Sequence, residues 1–513
     1  MKRGIAILLF CGLLAVEAAA QEKAKYWVFF THKDTATATP AVSPRTLSQR
    51  QRLGLPVFQA SDLPVPERFV AALRKRGVSP VCRSRWLNAC SAELDTEARN
   101  ALSRLPFVCG FRRIRQEAVV LRGPSEEANP NYDRTIEQMG ASVFRDAQLD
   151  GTGVTIGVID AGFYGAQKSR ELKHLFSEER ILGVRDFVNP QNKDPFNERE
   201  TASDRHGTQV LGYIAGLWEG SERQRGLATG ARFYLARTDH GKKEFRGEED
   251  YWVAAVEWMD SLGVRLINTS LGYSIGFDEP EENYSVAEMD GKTAITTRAA
   301  TIAVQEKGMI LVSSAGNEGN DSDWGIVSAP ADAEAVLAVA ATNTDGLRMG
   351  YSSLGPETLP YLKPNVACYS LFGTSFAAPA VTGFAACLLQ RQPDLSPEEI
   401  YRIVEQSAHL YPFGNNHIGY GIPSAERALV LLAGDTLSPR LKAVPSPAVA
   451  FIYTVNPRNE HTEAVAFHKK DSRIVLKTER LNVKDGRVRV ARHRKAEKTT
   501  LVVGDEGVEI IWP

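Results

Sequence analysis

The chain has 513 residues, of which 43% are hydrophobic and 24% charged. These fractions belong to an ordinary globular protein and exclude collagen, coiled coil and wholesale disorder; at roughly 150 residues per domain, about three domains are expected. The net charge of −1 hides an asymmetry: residues 21–125 hold 18 basic against 8 acidic side chains, 126–435 hold 26 against 44, and 436–513 hold 15 against 9. Such contrast marks separate modules, and so acidic a middle argues against nucleic acid as its ligand.

The chain opens on Met1-Lys2-Arg3, the apolar run GIAILLFCGLLAV and Ala18-Ala19-Ala20. A basic start, a short apolar middle and an A-x-A close make residues 1–20 a secretory signal peptide. The run is shorter than the roughly 20 residues a membrane span needs, and bulky Phe10 before Cys11 argues against a lipid-bearing cysteine. No later stretch is apolar enough to cross a bilayer. A secreted protein (periplasmic, cell-surface or extracellular) with no membrane span is expected. Beyond residue 20 there are five cysteines: Cys82, Cys90, Cys109, Cys368 and Cys387. The odd number leaves at least one unpaired within the chain, and five are too sparse to staple the fold. Spacing does not say whether Cys368 and Cys387 meet.

Residues 21–125 read as a small α/β module, with strands at KYWVFF and PFVCGF and a helix at PERFVAALRKRG between Pro66 and Gly77. GPSEEANPNYD, residues 123–133, is a polar linker open to proteolysis. Between 134 and 435, VTIGVI, ARFYLA, VRLIN, MILVSS and AVLAVAAT are buried strands that alternate with helical stretches ending at Gly263 and Gly308. That alternation predicts a parallel sheet with helices on both faces. After Pro439, Pro445 and Pro447, the runs FIYTV, RIVLKTERLNV, RVRVARH, TTLVV and VEIIW predict a small antiparallel β domain.

Four segments of the middle module carry chemistry. VTIGVIDAGFYG ends a buried strand on Asp160, and ligands in open α/β sheets bind beyond the carboxyl ends of strands. SDRHGTQVLGYIAG puts His206 at the entry of an apolar helix. LFGTSFAAPAVTGFAACLLQ puts Ser375 in a turn that opens a helix of small residues, at its positive end. Each alone also reads as a cap or a turn. Asp, then His, then Ser is nevertheless a known order for a nucleophilic triad, in which an acid orients a base that activates a hydroxyl. VSSAGNEGN adds Asn317, whose amide can donate to an oxygen that becomes negative during attack on a carbonyl.

In this order the four segments resemble the subtilisin-like serine proteases (subtilases). The matching residues are Asp160-Ala161-Gly162, His206-Gly207-Thr208-Gln209-Val210, Ser314-Ala315-Gly316-Asn317 and Gly373-Thr374-Ser375-Phe376-Ala377-Ala378-Pro379. The resemblance implies Asp160 as orienting acid, His206 as general base, Ser375 as nucleophile and Asn317 as oxyanion donor. It also implies that Ser270, Leu271 and Gly272 of LINTSLGY line the specificity pocket opposite Ala315 and Gly316. Ala161 departs from the usual Ser or Thr, and Gln209 stands where many members have a second histidine. The leader resembles the propeptide of Bacteroidetes subtilases through its FFT-K strand and SRWLNA segment.

The expected organisation is a signal peptide (1–20), a propeptide (21–125), a catalytic domain (126–435) and a C-terminal β domain of unassigned role (440–513). The implied activity is serine endopeptidase action on protein or peptide substrates through an acyl-enzyme, by a self-processing zymogen held by its own propeptide. The chemistry requires no cofactor. Structural calcium is frequent in the family, and Asp321 and Asp323 are the candidate ligands here, though a solvated loop is the simpler reading. A pseudoprotease serving as an adhesion module has no need of all four motifs, and an α/β-hydrolase esterase lacks its G-x-S-x-G. The basic leader beside an acidic middle predicts electrostatic docking, with inhibition in trans that weakens as salt rises.

Overall fold

The computed structural model describes residues 23–35, 39–114, 133–197, 201, 203–218, 224–240, 247–275 and 282–513. The expected signal peptide lies outside the described residues, as does the 123–133 linker up to Asp133. Among the described residues, no helix is long and apolar enough to cross a membrane.

The leader forms a four-stranded sheet of β1 (Ala24–Phe30), β2 (Pro80–Ser84), β3 (Ala89–Leu94) and β4 (Val108–Ile114), in the order β2-β3-β1-β4. β1 alternates as a strand with two buried faces must. Val28 and Phe30 enter the leader's own core with Phe69 and Leu73 of the helix Glu67–Arg74. Trp27 points the other way, into a cluster with Trp252, Val256 and Ile295 of the middle module. The leader and the middle module therefore share a core.

The middle module is a seven-stranded sheet of β5 (Thr155–Asp160), β6 (Ile181–Asp186), β7 (Arg232–Arg237), β8 (Leu266–Thr269), β9 (Ile310–Ser314), β10 (Leu337–Thr342) and β11 (Val366–Tyr369). The order is β11-β10-β9-β8-β5-β7-β6, and every pairing is parallel. β5, β8, β9, β10 and β11 are buried at every residue, because helices cover both faces. On one face Ile156 and Val158 meet the helices His206–Ala215 and Thr374–Arg391. On the other, Ile159 and Ile267 meet the helices Gly247–Ser261 and Ile295–Gln305. The helix Thr374–Arg391 runs through the centre, and its alanines and Gly383 permit that close burial. All five cysteines are free thiols, so Cys368 and Cys387 do not pair; each directs its sulfur to a backbone carbonyl instead.

The C-terminal module comprises β12 (Leu441–Pro445), β13 (Ala450–Thr454), β14 (Glu463–Lys469), β15 (Val475–Asn482), β16 (Arg487–Ala491), β17 (Lys498–Val503) and β18 (Glu506–Ile511). β12-β18-β17-β14-β15 form one sheet and β13-β16 a ribbon. The expected antiparallel pattern holds except that β12 runs parallel to β18, which makes the sheet mixed. This sheet is seated on the end of the central one. Leu441 and Phe467 share an apolar cluster with Ala340, Ala367, Leu410 and Ile418, and Arg473 donates to the carbonyl of Tyr361 at 2.7 Å. Phe467 is 3% exposed. Phe467→Ala is therefore expected to destabilise the middle module as well as the β module, by about 3–5 kcal/mol. Differential scanning calorimetry checks this: one lowered transition is expected, and an unmoved transition of the middle module would mean the two modules melt independently.

Candidate active site

Asp160 closes β5 at the carboxyl edge of the sheet and has no solvent exposure. Its Oδ1 lies 2.7 Å from His206 Nδ1 and also accepts the Ala161 N–H at 2.8 Å. Its Oδ2 is buried without a hydrogen-bond partner, and residue 161, an alanine, has no hydroxyl to offer it. Two glycines permit this approach. A side chain at Gly207 would meet the Gly162 carbonyl at 2.5 Å and Asp160 Cβ at 2.9 Å, and one at Gly162 would meet Asp204 at 2.7 Å. The end of β5 and the start of the His206 helix can touch only without those Cβ atoms.

Burial alone would push the His206 imidazole below its ordinary value of 6.5. The charge and hydrogen bond of Asp160, with Asp239 adding to them, outweigh burial and raise it. Beneath the pair lies Arg237, the last residue of β7 and 4% exposed. It donates from Nε to the Ala161 carbonyl at 3.1 Å, from Nη1 to Asp186 at 3.1 Å and from Nη2 to Asp204 at 3.0 Å. One guanidinium thus ties the residue after Asp160 to a residue two before His206.

Ser375 sits in the first turn of the helix Thr374–Arg391, 8% exposed. Its hydroxyl donates to the Ser270 carbonyl at 3.3 Å, while the Ser270 hydroxyl donates to the Ser375 carbonyl at 2.9 Å. Phe376, the next residue, holds its ring 5.3 Å from that of His206, so this helix start lies against the imidazole. Asn317, exposed in the loop after β9, turns its Oδ1 to the Thr374 N–H at 2.9 Å and the Thr374 hydroxyl at 3.1 Å. A backbone N–H can only donate, so the oxygen must face it. The Asn317 amide NH₂ is left as the outward donor beside Gly373.

Ser270, Leu271 and Gly272 follow β8, and Ala315 and Gly316 follow β9, its parallel neighbour. The five residues stand on adjacent strand ends, with Ser270 and Ala315 buried and Gly272 exposed. Residues 328 and 329 bridge them: Ser328 N–H donates to the Ala315 carbonyl at 3.2 Å, and Ala329 exchanges two bonds with Tyr273. Ser328 is 2% exposed and its hydroxyl has no partner, and an added Cβ on Gly272 would strike that hydroxyl. No sequence motif marks Ser328, Thr374's grip on Asn317 or Arg237. Asp321 uses its Oδ1 to cap a turn, accepting from Asp323 and Trp324 N–H at 2.8 and 3.1 Å. Among the described residues, no three carboxylate, histidine or cysteine groups gather as a metal site.

Residues 25–144 match the model of the Bacteroidota peptidase S8 propeptide domain, and residues 151–421 match that of the subtilase family, peptidase S8. Subtilisin DY of Bacillus licheniformis is 27% identical over 267 residues, covering 50% of this chain and 84% of that protein. Subtilisin NAT of Bacillus subtilis subsp. natto is 25% identical over 353 residues, covering 67% and 81%. Among solved structures, an epidermin leader peptide processing serine protease from Staphylococcus aureus superposes with a TM-score of 0.55 at 16% identity, covering 80% of this chain and 99% of its own. Fervidolysin from Fervidobacterium pennivorans, a keratinolytic enzyme related to subtilisin, gives 0.53 at 18% identity, covering 94% and 70%. These two likenesses are likenesses of fold. Because the family model spans 151–421, more than half of the molecule and all four motifs, the chain belongs to the subtilase family of serine peptidases and carries that family's propeptide domain ahead of it.

Proposed function

We propose that this subtilase is a secreted endopeptidase, exported by residues 1–20, that frees itself from its leader by cutting its own chain. The reading rests above all on one observation: the 2.7 Å bond between a fully buried Asp160 and His206, at the sheet edge where Ser375 and Asn317 also stand. Ser375 turns from the Ser270 carbonyl towards His206 and attacks a peptide carbonyl while the imidazole takes its proton. Asp160 keeps Nδ1 protonated and offsets the imidazolium charge. The Asn317 amide and the Ser375 N–H, an orphan donor of a helix's first turn, hold the oxyanion. His206 then returns the proton to the departing amine, and water hydrolyses the acyl-enzyme. Ser270, Leu271 and Gly272 face Ala315 and Gly316 across the pocket for the side chain before the cut, with the Ser328 hydroxyl at its floor.

Three measurements test these roles. For the chain lacking residues 1–20, intact mass over time should reveal loss of the leader by a cut in or beside 123–133. Ser375→Ala should stay whole and lose about 10⁴-fold or more in turnover. A wild type that never shortens would sink self-processing. The pH profile carries a sign: the base works only when neutral, so a raised His206 puts the acid limb of kcat/KM above pH 6.5, with activity climbing through it. Asp160→Asn removes the larger raising influence and leaves burial opposed only by Asp239, so its limb should fall below that of the wild type as the rate drops about 10⁴-fold. A limb that stays in place would show that Asp160 does not set the base. Arg237→Lys keeps the charge but loses the fork. We expect kcat to fall about tenfold with KM within about twofold, and the acid limb to slip downward as the Asp160–His206 bond loosens. An unchanged kcat would reduce Arg237 to packing.

A further inference from the structure

The turn that presents Ser375 has little packing of its own to hold it. β11 ends at Tyr369, and only Ser370, Leu371, Phe372 and Gly373 separate it from the helix Thr374–Arg391. Leu371 and Phe372 are 36% and 48% exposed, so their side chains bury little against the body of the protein. Gly373 has φ +146°, a conformation open to glycine and rarely adopted by other residues. The turn is held by hydrogen bonds instead. The Tyr351 hydroxyl donates to the Ser370 carbonyl at 2.7 Å and accepts the Gly373 N–H at 3.0 Å. One oxygen therefore spans both ends of the turn and satisfies an acceptor and a donor of its backbone. The Ser370 hydroxyl closes the turn from within, donating to the Gly373 carbonyl at 2.7 Å. Burial pushes the Tyr351 phenol up to about 12, which keeps its proton in place at neutral pH and well above it.

The segment that bears Tyr351 is itself fastened to the loop that bears Asn317. The Gly319 N–H donates to the Tyr351 carbonyl at 2.7 Å, and the Ser353 N–H donates to the Gly316 carbonyl at 3.1 Å. The Ser353 hydroxyl accepts the Glu318 N–H at 3.1 Å, and the Ser352 hydroxyl accepts the Ala341 N–H of β10 at 3.0 Å. A Cβ on Gly319 would collide with the Ser352 carbonyl, so the two stretches lie back to back with no room for a side chain. Tyr351 thus joins the loop after β9 through its backbone and the turn after β11 through its hydroxyl. The bonds from Thr374 to the Asn317 Oδ1 complete the circuit on the side facing the site.

We infer that Tyr351 is a positioning residue for the attack: its hydroxyl fixes Ser370 and Gly373, and through them holds Ser375 and the Asn317 amide at one spacing. The inference rests on the roles given above to Ser375 and Asn317. A nucleophile and an oxyanion donor must meet the same carbonyl group at once, so a small loss of register between them slows the chemistry even when substrate is still bound. The bonds of Tyr351 run to the turn and to the loop after β9, not to Asp160 or His206. Its loss should therefore lower the rate without moving the titration of the base.

The test is Tyr351→Phe in the chain lacking residues 1–20, which keeps the ring and removes one oxygen. Intact mass over time follows the self-cut, a single turnover with no KM. A peptide substrate then gives kcat and KM, with the active fraction counted by phenylmethylsulfonyl fluoride. If neither protein cuts itself, trypsin nicking of the 123–133 linker supplies both for the kinetic comparison. The expected result is a kcat about tenfold lower, a self-cut slowed to a similar degree, KM within about twofold and an acid limb that stays in place. The melting temperature should stay within about 4 °C of the wild type. If Tyr351→Phe does not fold, 4-fluorophenylalanine at position 351, which fills the space of the hydroxyl without donating, is read in its place. An unchanged kcat, a loss carried by KM, or an acid limb that moves with the rate overturns the positioning role and leaves the peptidase reading intact. A wild type with no activity that Ser375→Ala removes overturns the role of Ser375 and this inference with it.

Discussion

A carboxyl group with no access to water must find its hydrogen-bond partners inside the protein, and at the end of β5 the Nδ1 of His206 lies 2.7 Å from Asp160. Leaving a buried polar group without a partner is costlier than leaving an apolar group unpacked, and the surroundings keep the two together. The parallel sheet brings β5 and β7 side by side, which sets Arg237 beside Asp160 at the same edge. Arg237 in turn holds the turn that launches the His206 helix. Gly162 and Gly207 remove the atoms that would keep the two segments apart. The helix Thr374–Arg391 enters from the opposite side, and its run of alanines lets it do so through the middle of the core.

The two edges of that sheet have been put to different uses. The carboxyl edge ends in short loops bearing Asp160, Asn317 and the residues after β8, all tied to the Thr374-Ser375 turn or to His206. The amino edge and the ends of the helices Gly247–Ser261 and Ile295–Gln305 receive the leader. A leader that sat only over the carboxyl edge would compete directly with substrate. One that also grips the amino edge is held by contacts that a ligand at the carboxyl edge does not reach.

Much of this is legible in the sequence, for reasons that also explain what is not. Parallel strands buried on both faces are largely apolar, so β5, β9 and β10 stand out as near-continuous runs, and short motifs with fixed glycines announce Asp160, His206, Asn317 and Ser375. β6 is a half-exposed edge strand, and β11 is only four residues long, so neither has a pattern to read. β12 falls within the stretch punctuated by Pro439, Pro445 and Pro447, which reads as a linker, and its parallel pairing with β18 depends on which chain ends meet. Arg237, Ser328 and the Thr374 hydroxyl act through distances between remote segments. The leader helix Pro44–Arg52, PRTLSQRQR, has no apolar face to betray its seat on the middle module, because it meets Asp260 and Gly263 through donors and charge.

The charge totals illustrate the limit of composition. An excess of bases in the leader and of acids beyond it implies attraction, yet the buried network does not simply set leader cations against peptidase anions. Lys307 belongs to the peptidase and Asp62 to the leader, reversing the expected sign at the centre of the contact. Buried ion pairs seldom stabilise a contact more than well-packed apolar residues would. Their effect is on registry: with Arg50 and Lys307 both converging on Asp62, and Arg50 and Arg85 both on Asp260, a leader displaced by one helical turn would leave at least one charge buried and unpaired. Bulk charge can draw the leader in from a distance, but the alternation of signs at the amino edge dictates the one position in which it stays.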